Sequence, residues 1–165
     1  MSGLGAEFAD RLYRVRPRLA TLAQTPPPSS LSDADPKTGE RWDWGQTWAH
    51  IAEFPAYWIE QVRMVVSQPA GDPVPFGRVA SDPDRIRAIE ANRAIPPTEL
   101  WDRLSGDLDR LRELIEDLGE DGWSRLGFHS TLGVMRISKV FDEFLVGHLE
   151  SHAEQLEAML RSPSE

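Results

Sequence analysis

Apolar residues recur at three- and four-residue steps in four long segments of the chain, the spacing of one face of an α-helix. The first runs from about Leu4 to Ala23, with Leu4, Phe8, Leu12, Val15, Leu19 and Leu22 on its stripe. Pro26, Pro27 and Pro28 close it, because three consecutive prolines cannot continue a helix. The second runs from about Trp44 to Ser67 on Trp44, Trp48, Ile51, Pro55, Trp58, Ile59, Val62 and Val66. Pro55 has no amide hydrogen, so the carbonyl one turn back, near Ile51 and beside His50, loses its helical partner. The third segment spans about Thr98 to Leu118, with Leu100, Leu104, Leu108, Leu111, Ile115 and Leu118 in register and Gly119 as a candidate C-cap. The fourth spans about Ser138 to Leu160 and carries Val140, Phe141, Phe144, Leu145, Leu149, Leu156, Met159 and Leu160.

Ser81, Asp82 and Pro83 read as a helix start, so a short helix through Ile86 and Ile89 is expected to end near Ile95. No segment sustains strand alternation, and residues 69–80 and 119–136 read as connections rich in glycine and proline. These elements predict an all-α fold: one four-helix-bundle domain over residues 1–165, with one short extra helix. The long connections at 24–43 and 68–97 permit a topology other than up-down-up-down.

Composition narrows the function. The chain of 165 residues carries 18 Lys+Arg against 27 Asp+Glu, a formal net charge of −9. That charge argues against nucleic acid, whose phosphates need a concentrated basic face. The one basic cluster, Arg11, Arg14, Arg16 and Arg18, is interleaved with acids and reads as a solvated helix face. No apolar run reaches the roughly 18–20 residues of a membrane span. The N-terminus lacks the charged and apolar regions of a secretory signal, so a cytoplasmic location is expected. With no cysteine in the chain, disulfides, thiolate zinc sites and a catalytic thiol are excluded.

The four histidines carry the candidate chemistry. His148 and His152 stand four apart on the fourth segment and share a helix face. That face also bears Phe141, Phe144, Leu145, Leu156 and Met159, so the imidazoles interrupt an apolar stripe. Burying two unpartnered neutral imidazoles costs roughly 1–3 kcal/mol each, so something must satisfy them. A divalent metal does so, since two His at this spacing form a common two-ligand unit. Hydrogen-bonded or half-exposed rings are the alternative. His50, in the second long segment, is the candidate third ligand, giving a three-His site with positions open to water or substrate. Glu53 and Gln155, each three residues beyond a candidate ligand, are placed to orient a ring or a bound water. Glu53 is also the candidate general base. His129 falls in a glycine-rich connection and reads as a loop histidine that packs or caps the following helix. Trp44, Trp48 and Trp58 read as core with their polar tips partnered at the rim, and one or two tryptophans could line a pocket mouth.

Three stretches carry a family resemblance: Trp48-Ala49-His50-Ile51-Ala52-Glu53, Phe128-His129-Ser130-Thr131-Leu132-Gly133, and His148-Leu149-Glu150-Ser151-His152-Ala153-Glu154-Gln155. In order and spacing the chain resembles the DinB/YfiT-like superfamily, which includes thiol-dependent S-transferases and the N-terminal domain of mycothiol-dependent maleylpyruvate isomerase. The resemblance implies a four-helix bundle whose His50, His148 and His152 bind a divalent metal, nickel or zinc. It also implies a homodimer and a low-molecular-weight thiol, such as bacillithiol or mycothiol, as co-substrate. Ser130 stands where many members have proline and Ser151 where many have another histidine, and neither departure removes an implied ligand. The expected function is metal-dependent transferase, hydrolase or isomerase chemistry on a small molecule. The alternative is a non-catalytic, ligand-binding or stress-response bundle with a vestigial metal site.

Overall fold

The computed structural model describes residues 3–162. Helix α1 (Gly3–Ala23) buries Phe8, Leu12, Val15, Leu19 and Leu22 of its predicted stripe and leaves Leu4 40% exposed. Helix α2 (Trp44–Ser67) starts where the pattern places it because Asp43 and Gln46 form a capping box. The Asp43 carboxylate accepts from the Gln46 amide at 2.8 Å, and the Gln46 side chain accepts from the Asp43 amide at 3.0 Å. Helix α3 (Pro83–Asn92) is capped by Asp82, which accepts from the amides of Asp84 and Arg85 at 3.0 Å each. Helix α4 (Pro97–Asp117) buries Leu100, Leu104, Leu108, Leu111 and Ile115. Gly119 is not its left-handed cap: at φ −76° and ψ 178° it is extended and instead opens the short helix α5 (Glu120–Ser124).

The fourth long segment is two helices, α6 (Ile137–Phe144) and α7 (Val146–Arg161), broken at Leu145, where φ is −125° and ψ −102°. The apolar pattern runs through the break because Leu145 and Val146 are both fully buried. Gly147 makes the break possible. A Cβ there would lie 2.0 Å from the Asp142 carbonyl oxygen, so only glycine lets the two backbones approach. Around the bundle α1 packs on α4 and α7, and α2 packs on α4 and on α6 and α7. The chain order α1, α2 is therefore not the spatial order, as the long first connection allows.

The connections hold more structure than expected. Residues 74–76, 126–129 and 133–136 form strands β1 (Val74–Phe76), β2 (Leu126–His129) and β3 (Gly133–Arg136). β1 pairs parallel with β2, Phe76 opposite His129, and β2 pairs antiparallel with β3. Strands this short, containing Pro75 and Gly127, show no alternation that a sequence pattern could register. Among the described residues, the indole nitrogens of Trp44, Trp48 and Trp123 are buried without a hydrogen-bond partner, so the expected rim contacts are absent for Trp44 and Trp48. Of these three, Trp123 stacks on Phe8 at 5.2 Å, and Trp58, whose indole nitrogen is not among them, stacks on Phe144 at 3.9 Å.

The arginine cluster on α1 is ion-paired, and three of its four members bridge to other helices. Arg11 clasps Glu150 of α7 through Nε (3.1 Å) and Nη2 (2.7 Å) and reaches Asp142 at 2.7 Å. Arg18 clasps Glu157 the same way, both bonds 2.9 Å. Arg16 bonds Asp109 of α4 at 2.7 Å, and Arg14 pairs with Asp10 within α1.

Two glycine substitutions separate crowding from propensity. Gly147→Ala should lower the urea midpoint, by about 1–3 kcal/mol of stability, because the helix break must shift. Gly106→Ala, within α4 with nothing inside 4 Å of its Cβ, should raise stability by about 0.5–1 kcal/mol. Equal effects of one sign from both would contradict this packing.

Candidate metal centre

His50 sits in the second turn of α2, buried at 5% exposure, and faces α7. His148 and His152, half-buried, rise one turn apart on α7. The three rings converge through their Nε2 atoms. His50 Nε2 lies 3.0 Å from His148 Nε2, and His152 Nε2 lies 3.1 Å from the same atom. Phe54, one turn beyond His50, packs on the His148 ring at 4.6 Å and limits its rotation. All three candidate ligands are thus brought together, within 4.8 Å of one another.

Hydrogen bonding at the far nitrogens fixes what the near ones present. His50 Nδ1 is 3.1 Å from Glu53 Oε1, and a carboxylate only accepts, so the proton is on Nδ1 and Nε2 carries a bare lone pair. His152 Nδ1 stands 2.7 Å from Gln155 Oε1 and is assigned its proton in the same way. Two bare lone pairs therefore face His148 Nε2, which has at most one hydrogen to give. At least one lone pair has no donor. Three neutral imidazole nitrogens aimed at one point are the donor set that a divalent cation accepts.

Burial sets the charge state. His50 is buried and the other two rings are half-buried, and the cations Arg85 and Arg78 lie nearby. Desolvation first, then repulsion from His152 and the two arginines, hold His50 well below its ordinary 6.5. Desolvation, followed by the other two rings, does the same to His148. His152 is lowered to about 4 by desolvation, against a raising effect of Gln155. At neutral pH all three rings are in the neutral form that ligates metal.

A chain of contacts holds Glu53 in turn. Arg78 Nη2 donates to both its carboxylate oxygens, at 2.7 and 2.5 Å, and the guanidinium lies 4.0 Å from the centre of the Tyr57 ring. Burial raises the Glu53 pKa while Arg78 opposes the rise. His129 lies outside the cluster and is 2% exposed. Its Nε2 donates to the Arg78 carbonyl at 3.0 Å, and its Nδ1 accepts from the amides of Thr131 (3.2 Å) and Leu132 (3.3 Å). It thereby closes the β2–β3 turn and pins the segment bearing Arg78, instead of capping the following helix. Gly77 permits this contact. Its φ is +87°, and a Cβ would stand 2.7 Å from the His129 ring.

Two cavities meet at His50 and His148. One, about 590 Å³, runs past His152, Ser151 and Gln155, and the other, about 890 Å³, past Trp58, Arg78, His129 and Phe144. Trp42, Asp35 and Glu40 form a wall shared by both. Trp42 sets its ring edge against His50, with ring centres 5.2 Å apart. Arg78, Arg85 and Trp42 are the site residues that helical spacing does not find, because each lies in or beside a connection.

A helical bundle with a histidine cluster at the meeting of two cavities defines the class. The family model described as the DinB superfamily matches residues 11–156, and the chain belongs to that superfamily. No curated protein matches the chain. Among solved structures it is similar in fold to YfiT from Bacillus subtilis, whose description is a "probable metal-dependent hydrolase with an unusual four-helix bundle topology" (TM-score 0.75, 15% identity, covering 98% of this chain and 89% of that one). It is also similar to mycothiol-dependent maleylpyruvate isomerase (TM-score 0.68, 14% identity, covering 98% and 70%). A protein from Clostridium difficile 630 shares the fold as well (TM-score 0.65, 11% identity, 98% of each chain). No helix among the described residues is long and apolar enough to cross a membrane.

The depressed histidines make the metal-free protein sensitive to acid. Between the folded value, about 4 for His152, and the unfolded 6.5, the unfolded chain binds more protons than the folded one. Stability is therefore full above about pH 6.5 and falls as pH drops towards 4. Thermal melts of chelator-treated protein at steps from pH 7 to pH 5, above the ordinary carboxylate range, should show a falling midpoint, and His152→Phe should flatten that fall. A midpoint constant over this range would overturn the neutral, buried assignment.

Proposed function

We propose that this protein is a metal-dependent enzyme whose divalent ion is held by the Nε2 atoms of His50, His148 and His152. The observation that carries this reading is the meeting of three imidazole nitrogens at 3.0 and 3.1 Å, two of them bare because their partners hold the opposite nitrogen's proton. What a divalent ion supplies in such a site is Lewis acidity, which lowers the pKa of a water or thiol so that a nucleophile exists at neutral pH.

The chain's own residues provide the rest. Glu53 and Gln155 hold the Nδ1 protons of His50 and His152 and so aim the rings. Of the two roles expected for Glu53, orienting His50 is the one its contacts support, since Arg78 engages both of its oxygens. The two cavities provide room for a small-molecule substrate beside the rings. A low-molecular-weight thiol as co-substrate is consistent with a chain that contains no cysteine of its own. The reading extends to nickel or zinc as the ion, transferase, hydrolase or isomerase chemistry, and one domain acting as a cytoplasmic homodimer.

Metal content tests the first step. Protein refolded with zinc or nickel and freed of excess should retain about one equivalent by elemental analysis. His50→Ala, His148→Ala and His152→Ala should each abolish stoichiometric retention, while Glu53→Gln should weaken affinity by about 10–100-fold. Retention below about half an equivalent, unaffected by His50→Ala, would overturn the proposal.

A further inference from the structure

Most arginines near an acidic side chain in this fold are paired with it, but Arg85 is not. It is half-buried at the start of α3 and lines both cavities. Nη1 donates to the Ala80 carbonyl at 2.8 Å. Among the described residues no carboxylate forms an ion pair with it, and Nε and Nη2 have no acceptor. Burial disfavours its charge, and Glu53, Glu40 and Asp35 offset that through space without touching it. Each of these acids is oriented elsewhere or exposed: Glu53 is held by Arg78, Asp35 by the amides of Lys37 and Thr38, and Glu40 lies in water.

The unused edge has a defined shape. Nε–H and Nη2–H point the same way and match the two oxygens of one carboxylate. This protein uses that same edge twice elsewhere, in Arg11 on Glu150 and in Arg18 on Glu157. Its position beside the candidate centre is also defined. The guanidinium lies 5.5 Å from the centre of the Trp42 ring, and Trp42 in turn contacts His50. One aromatic side chain thus separates a free arginine fork from a candidate metal ligand.

We propose that Arg85 anchors the carboxylate of a small anionic substrate, whose reacting part then extends towards the three imidazoles. The inference rests on the reading of the cluster as a metal centre for its catalytic meaning, but carboxylate capture by Arg85 needs no metal. The substrate class is accordingly small carboxylic acids, in preference to their neutral amides and to tetrahedral oxyanions.

Titration calorimetry with benzoate, benzamide and inorganic phosphate, on the full chain with and without zinc, tests it. Benzoate should bind at least about tenfold tighter than benzamide in both forms, and tighter than phosphate. Arg85→Gln should reduce the benzoate preference to less than about twofold, and Arg85→Lys, which keeps charge but not the fork, should fall between. Zinc stoichiometry, measured on the same samples, should be the same in both variants. A benzoate preference that survives Arg85→Gln, its absence from the unaltered protein, or tighter binding of phosphate would each overturn the proposal. Loss of zinc binding with the benzoate preference intact would instead overturn the metal reading alone. Should Arg85→Gln fail to fold, the Arg85→Lys comparison carries the decision.

Discussion

Two bare imidazole lone pairs facing a third nitrogen across about 3 Å are an unfavourable arrangement at a largely buried place. Helix α2 and helix α7 must nonetheless be held together there. Two of the rings are therefore tied down at their far nitrogens, His50 by Glu53 and His152 by Gln155, while His148 packs edge-on with Phe54. The break at Leu145 belongs to the same requirement. It restarts the helix at Val146, one residue before Gly147 and its close contact with Asp142, and so places His148 in the first turn of α7, opposite His50.

The small sheet has a role that a helical bundle alone could not fill. Its pairing of Phe76 with His129 brings two distant connections side by side. His129 then bonds the backbone of Arg78, and Arg78 bonds the carboxylate that aims His50. A ring nitrogen in the bundle is thereby positioned by a turn more than seventy residues away in sequence. The buried ion pair of Glu53 and Arg78 contributes orientation more than stability, because desolvating both groups offsets much of their attraction.

The long helices were legible because burial over some twenty residues repeats the same signal many times, and the apolar pattern placed the start of α2 at about Trp44, where the Asp43–Gln46 capping box fixes it. The three-histidine cluster was legible for a related reason: a spacing of four fixes His148 and His152 on one face, whatever the rest of the fold does. The pairing of His50 with them came from family motifs and from the shortage of other histidines. The break at Leu145 was invisible, since the residues on both sides of it are apolar and buried. The strands were too short for periodicity to register. Arg78 and Trp42 lie in connections, where no helical period links sequence position to direction, and Arg85 stands in the first turn of the short helix α3, off its apolar stripe. The arginines of α1 looked like a wet face because the acidic partners of three of the four lie on other helices.

Those arginines have a mechanical meaning. Arg11 and Arg18 are seven residues apart on α1, and Glu150 and Glu157 are seven apart on α7, so the two clasps form a pair of matched rungs. Sliding α7 by one helical turn, about 5.4 Å, would unseat both clasps at once, and Glu154, one turn from each glutamate, could replace only one of them. Glu150 stands between His148 and His152 in sequence, on the opposite side of α7 from their rings. The outer surface of the bundle thus acts as a vernier for its interior: surface charges set the height at which two imidazoles meet a third, and dissolved salt, by screening those charges, loosens the scale.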